Sequence, residues 1–262
     1  NGTIDFHNSE GSTGIYAESA RAQLGHSGKI MLGKKSTGIY GVYRSNSPHY
    51  DGGSSADNKL TVETTAGSEI ELGQGSVGVY LKNASTDISL DGKIKSSAGA
   101  TKNVGVYMIN EAGTQSDQGQ VLTGMVNGSN AEITLGDGSV GLYSKGKAAN
   151  AKNTVINKGK ITVGKKIAGT PSVPSVGIYA ENTNLITDTT SAITVGEDGI
   201  AFYGKHSDIT AKGRVNFNNK GVLAYLENSK FVSYLGDISS TQNTMLYLKN
   251  STAKMNGAAA PC

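Results

Sequence analysis

The sequence predicts an all-β chain wound as a right-handed parallel β-helix: a three-sided solenoid of about nine coils of ~22 residues. Three observations predict it. A Gly-aliphatic-Tyr triplet recurs along the chain, a short β-type run stands a fixed distance before most copies, and the last copies are spaced by 22 residues.

The triplet occurs at Gly14-Ile15-Tyr16, Gly38-Ile39-Tyr40, Gly78-Val79-Tyr80, Gly105-Val106-Tyr107, Gly141-Leu142-Tyr143 and Gly177-Ile178-Tyr179. Looser copies end on Tyr203, Tyr225 and Tyr247, which makes nine landmarks and hence nine coils. The preceding run is often closed by glycine, as in Lys29-Ile30-Met31-Leu32-Gly33 and Glu132-Ile133-Thr134-Leu135-Gly136. From its Ile to the Tyr is ten residues at Ile30–Tyr40, Ile70–Tyr80, Ile133–Tyr143 and Ile193–Tyr203. A third run follows the Tyr, as in Asp87-Ile88-Ser89-Leu90 and Asp208-Ile209-Thr210.

Apolar residues alternate within each run, as a half-buried strand requires. On that reading Val77, Val79 and Leu81 face inward, and Gly78, Tyr80 and Lys82 face outward. Val140/Leu142, Val176/Ile178, Ile200/Phe202 and Val222/Ala224/Leu226 are assigned inward in the same way. The connections are too short for βαβ crossovers. Strands that cannot pair within their own unit must pair with the next, so coils stack at ~4.8 Å and nine of them make a rod on the order of 40 Å long. Asn83, Asn110, Asn182, Asn228 and Asn250 stand three places after a Tyr, where a left-handed corner residue is expected. Stacked Asn side chains at such a corner are expected to bond one another.

Departures from the 22-residue unit mark insertions. Three follow the Tyr strand, within Tyr43–Asn58, Asn110–Asn130 and Lys145–Lys152, and so leave from one corner of the prism in the second, fourth and fifth coils. These coils lie within roughly 15 Å along the axis. A fourth insertion, Lys165–Pro174, follows the Ile strand and leaves from another corner. Loops clustered on one face of a repeat protein often bind partners; the alternative is that corner loops are tolerated because they disturb no core. The candidate partner-binding residues are Tyr43, His49, Tyr50, Asp51, Glu111, Gln115, Asp117, Lys145 and Lys147. The Tyr column (Tyr16, Tyr40, Tyr80, Tyr107, Tyr143, Tyr179, Tyr203, Tyr225, Tyr247) is read first as a structural stack covering the glycine two places before it, and second as a platform for sugar rings or protein.

Composition narrows the functional classes. The net charge is +3 with no long basic run, which gives nucleic-acid binding little support. The 21 acidic residues are scattered through turns, and the four histidines lack metal-ligand spacing. No P-loop and no Gly-x-Ser-x-Gly elbow occurs. The expectation is therefore no enzyme, no cofactor and no metal. The glycosylation sequons at Asn83, Asn127 and Asn250 fall within what chance gives in a chain this rich in Asn, Ser and Thr. No run of about eighteen apolar residues is present. Residues 1–256 read as one solenoid segment of something longer, and 257–262, with the lone Cys262, as a linker.

The phrases Gly75-Ser76-Val77-Gly78-Val79-Tyr80, Gly138-Ser139-Val140-Gly141-Leu142-Tyr143 and Ser175-Val176-Gly177-Ile178-Tyr179 resemble those of type V autotransporter passenger domains. The likeness is to the very large fusobacterial outer-membrane adhesins of the RadD-like kind, and it extends over nearly the whole chain. It implies a passenger exported through the outer membrane by a C-terminal β-barrel, displayed on the cell surface or released, and used for attachment. The partner it implies is a surface protein or glycan of another bacterium or of a host cell. Membrane contact would come only through the barrel, and no obligate oligomer is implied. Two other functions are weighed: a purely structural stalk, and, ranked below it, a carbohydrate-active β-helix enzyme.

Overall fold

A computed structural model describes residues 2–44, 60–84, 88–111, 124–236, 238 and 244–257. Among the described residues there are 26 strands and no helix. The strands form three sheets, one of eight strands and two of nine, and every strand-to-strand pairing is parallel and joins neighbouring coils. The chain is a parallel β-helix.

Each face takes one strand per coil. The Ile face is built from Thr3–Glu10, Lys29–Lys34, Glu69–Leu72, Lys93–Ser96, Glu132–Leu135, Lys160–Val163, Ala192–Val195 and Arg214–Phe217. The Tyr face is built from Thr13–Glu18, Thr37–Val42, Val77–Lys82, Val104–Ile109, Val140–Lys145, Val176–Glu181, Gly199–Lys205, Gly221–Glu227 and Thr244–Lys249. The third face runs from Arg21–Leu24 to Thr252–Met255 and takes its strand after each Tyr strand.

Register is set by the core. On the Ile face Ile30, Ile70, Ile94, Ile133, Ile161, Ile193 and Val215 are cross-strand partners in succession, and all are buried. On the Tyr face Ile39, Val79, Val106, Leu142, Ile178, Phe202 and Ala224 do the same. Each fully buried Ile, Val or Leu contributes ~1.5–3 kcal/mol, and a one-residue slip would turn a whole row outward.

The alternation expected around the Tyr triplet is not what forms. Gly78 is buried, Val77 is only half-buried, and Val79 and Leu81 are inside as expected. The glycine turns inward together with the residue that follows it, so the outward sites are Val77, Tyr80 and Lys82. A Cβ on Gly78 would lie 2.7 Å from Cγ2 of the core residue Ile94 and 2.5 Å from the carbonyl oxygen of Gly105. The Tyr rings therefore do not cover the glycine; the next coil does. Val140, Ile200 and Val222 are likewise half-buried rather than inside, while Val176 is buried. Ala201 and Leu223, which take the glycine's place in later coils, are fully buried.

Left-handed residues turn the corners on either side of the Tyr strand. The corner between the Ile and Tyr faces uses Gly11, Lys35, Gly75, Lys102, Gly138 and Asp198, with φ from 50° to 71°. The corner after the Tyr strand uses Ser19, Asn83, Asn182, His206, Asn228 and Asn250, with φ from 46° to 55°. Asn tolerates this region because its short polar side chain hydrogen-bonds locally. Asn110 departs from the expectation. It has no positive φ, it is buried, and its Nδ2 donates to Oδ1 of Asn153 at 2.7 Å.

Candidate partner-binding corner and the tyrosine ladder

The three insertions after the Tyr strand begin at Tyr43, Asn110 and Gly146, and these are the coils in which that position leaves the left-handed conformation. The backbone beneath them is continuous. Tyr43 N donates to Lys82 O at 3.0 Å, Asn83 N to Ile109 O at 2.9 Å, Asn110 N to Lys145 O at 2.9 Å, and Gly146 N to Glu181 O at 2.9 Å. The loop roots are thus held one above another by the same ladder that holds the sheet.

The candidate residues divide accordingly. Tyr43 packs against the core, so part of its role is structural. Glu111 is exposed, with Oε2 2.6 Å from Lys82 Nζ, and its N–H donates to Asn83 Oδ1 at 3.1 Å. Tyr43 through its backbone N–H and Glu111 through its carboxylate, from the second and fourth coils, both contact Lys82 of the third. Lys145 ends its Tyr strand and lies 3.7 Å from Glu181, so it belongs to the sheet face rather than to a loop. Lys147 is exposed on a compact turn closed by an antiparallel bridge between Ala148 and Ala151. His49, Tyr50, Asp51, Gln115 and Asp117 lie outside the described residues, as does the tail from residue 258.

The fourth insertion folds into a small hairpin, with Ile167 and Val173 exchanging both backbone hydrogen bonds at 2.9 and 3.0 Å. It lies back on the preceding coil, where Gly138 N donates to Lys165 O and a Cβ on Gly138 would meet Ile167 at 2.6 Å. On the same corner the fourth coil is widened, with Ile94 and Tyr107 thirteen residues apart instead of ten. An open cleft of about 420 Å³ lies beside that turn, lined by residues including His7, Met31, Lys34, Glu71, Gln74 and Ala98. Among the described residues no group of three or more His, Cys, Asp or Glu is placed to hold a metal.

The Tyr column forms one continuous stack. Its eight successive ring pairs have centroids 4.3–5.5 Å apart and interplanar angles of 2–19°. Tyr16 and Tyr247 are exposed and the seven rings between them are half-buried. Burial pushes the Tyr143 and Tyr203 phenols up to about 12, with nearby Glu181 and Glu227 respectively adding to it, and it raises Tyr179 as well.

Sequence reasoning missed three rows. Two places after the last five Tyr of the column, the charges Lys145, Glu181, Lys205, Glu227 and Lys249 alternate in register. Glu181 lies 3.7 Å from Lys145 and 3.4 Å from Lys205, and Lys249 lies 3.7 Å from Glu227. Four places before the Tyr, Ser36, Ser76, Asn103 and Ser139 each accept the backbone N–H of the corresponding residue one coil earlier, at 2.9–3.0 Å. Four places after it, Ser207, Ser229 and Ser251 do the same at 3.0 Å. All three rows keep a constant offset from the Tyr, and that offset was the available signal.

Compared with protein-family profiles, curated proteins and solved structures, the chain matches none.

Proposed function

We propose that this chain is a segment of a bacterial surface adhesin. Its β-helix displays loops from one corner, and those loops attach the cell to a protein or glycan on another bacterium or a host cell. One observation carries the reading: three insertions leave the same corner in coils two, four and five, while the backbone ladder beneath them continues unbroken. A rod with loops on one edge presents several contacts to a partner at once, which raises avidity without strengthening any single contact. Export through an outer-membrane barrel and display on the cell surface belong to the same proposal and rest on the resemblance of the repeated phrases.

The test uses the whole chain beside a variant whose loops after Tyr43 and Asn110 are trimmed to the 22-residue unit. Both are incubated with bacterial and epithelial cells, and circular dichroism verifies that both remain β-rich. Binding by the parent and its loss in the variant is the expected result. Binding by neither makes the segment a stalk, and equal binding by both removes the loops from the reading.

A further inference from the structure

The tyrosine ladder has chemistry that neither the core nor the loops use. Nine phenols are stacked in an unbroken file, and no contact between neighbouring rings exceeds 5.5 Å between centroids. At ~4.8 Å per coil the file spans on the order of 40 Å. Phenol is among the side chains most easily oxidised by one electron, and it gives up its proton as it does so. Carboxylates stand ready for that proton. Tyr16 Oη donates to Glu18 at 2.7 Å, Tyr203 Oη to Glu227 at 3.1 Å and Tyr179 Oη to Glu181 at 3.4 Å. Stacking alone would be served equally well by Phe, which appears at none of the nine positions.

We propose that the ladder carries an oxidising equivalent along the rod, spreading a radical that forms at one ring over the whole file. The entry step is hydrogen-atom transfer to a one-electron oxidant of the peroxyl class. The phenolic O–H bond breaks, the oxidant gains one electron and one proton to become a hydroperoxide, and a tyrosyl radical remains. Where a carboxylate accepts the phenol's hydrogen bond, the proton can pass to it while the electron goes to the oxidant. In each following step the radical takes one electron and one proton from the adjacent phenol. One O–H forms as another breaks, and the radical moves one coil. Donor and acceptor are the same phenol group at every step, so no step is strongly uphill and the radical can travel in either direction. A reductant reaching exposed Tyr16 or Tyr247 ends the sequence by restoring the phenol.

The test places the oxidant at one end. In a Cys262→Ser background, Lys249→Cys carries a ruthenium polypyridyl label beside Tyr247, and a flash with a sacrificial electron acceptor generates the one-electron oxidant there. Radical-trap adducts are mapped by peptide mass spectrometry. The expected result is adducts along the ladder as far as Tyr16, with off-ladder Tyr234 unlabelled. Tyr143→Phe keeps a ring in the stack but offers no phenolic hydrogen. It should remove the adducts at Tyr16, Tyr40, Tyr80 and Tyr107 and leave those at Tyr179–Tyr247. Adducts confined to Tyr247 in the parent would overturn the proposal. So would a distribution unchanged by Tyr143→Phe in a protein with native circular dichroism.

Discussion

Replacing Gly141 by alanine tests why the triplet begins with glycine. The added Cβ would stand 2.3 Å from Cγ2 of Ile161 and 2.6 Å from the carbonyl oxygen of Gly177. Carbon atoms in contact prefer about 3.5–4.0 Å, so the neighbours would have to retreat by more than ~1 Å. Neither yields easily. Ile161 is fully buried and, as a β-branched residue, stiff at χ1, while the Gly177 carbonyl belongs to the adjoining strand of the sheet. Overpacking of this kind costs ~1–3 kcal/mol, offset in part by the ~0.4–1 kcal/mol that Gly→Ala gains by restricting the unfolded chain. The control is Gly25→Ala, where nothing lies within 4 Å of the new atom and φ is not positive. There only the unfolded-state gain operates, so the same substitution should be neutral or stabilising. Urea unfolding followed by circular dichroism reads both. Because solenoids need not unfold as one unit, hydrogen exchange on peptides from the fifth to seventh coils locates the opening. Gly141→Ala as stable as the parent would refute the collision and leave the glycine without a steric reason.

Two other outcomes follow from the same geometry. Tyr143 and Tyr203 have folded-state values raised to about 12, so the unfolded chain loses these protons first. The stability they supply is complete below about pH 10 and disappears as pH rises towards 12. Phenolate absorbance should therefore show some rings titrating late and then together with alkaline unfolding; all twelve tyrosines titrating near 10 before unfolding would contradict it. Asn228 turns its corner at φ 49°, so Asn228→Val should destabilise by ~1–2 kcal/mol while Asn228→Gly stays close to the parent, as measured by urea midpoint.

The stacking of the Tyr column and the three strands per coil were legible because both are carried by residue types with strong signals at a fixed period. The left-handed corners at Asn83, Asn182, Asn228 and Asn250 were legible for the same reason. The inward turn of the glycine was not. Glycine has no side chain to enter the alternation, so a strict two-residue pattern assigned Gly78 outward and Val77 inward. The charge row was hidden by the insertions, which put Lys145 and Glu181 36 residues apart, and Glu181 and Lys205 24 apart, instead of 22. Ser36, Ser76 and Ser139 keep a constant offset from the Tyr, but nothing in one sequence says that a hydroxyl accepts from a neighbouring coil. Lys145 looked like a loop residue because loop bounds taken from excess length overlap the strand end by a residue or two.

The corner after the Tyr strand tolerates loops for a physical reason that also explains their position. An uninterrupted corner there requires a left-handed residue, which disfavours most side chains by about 1–2 kcal/mol and is borne by Ser19 and His206 as well as by Asn. Opening the corner into a loop removes that requirement, and Tyr43 and Asn110 accordingly stand there without positive φ. Lengthening the loop then adds only ~0.6 kcal/mol per doubling of its length. Register is not at risk, because Tyr43 and Asn110 still donate to the carbonyls of Lys82 and Lys145 in the next coil. The core rows face away from the corner and keep their partners. Loop sequence at this edge is therefore free to change while stability stays with the buried aliphatic rows, a separation that a globular domain with interlocked loops would not allow.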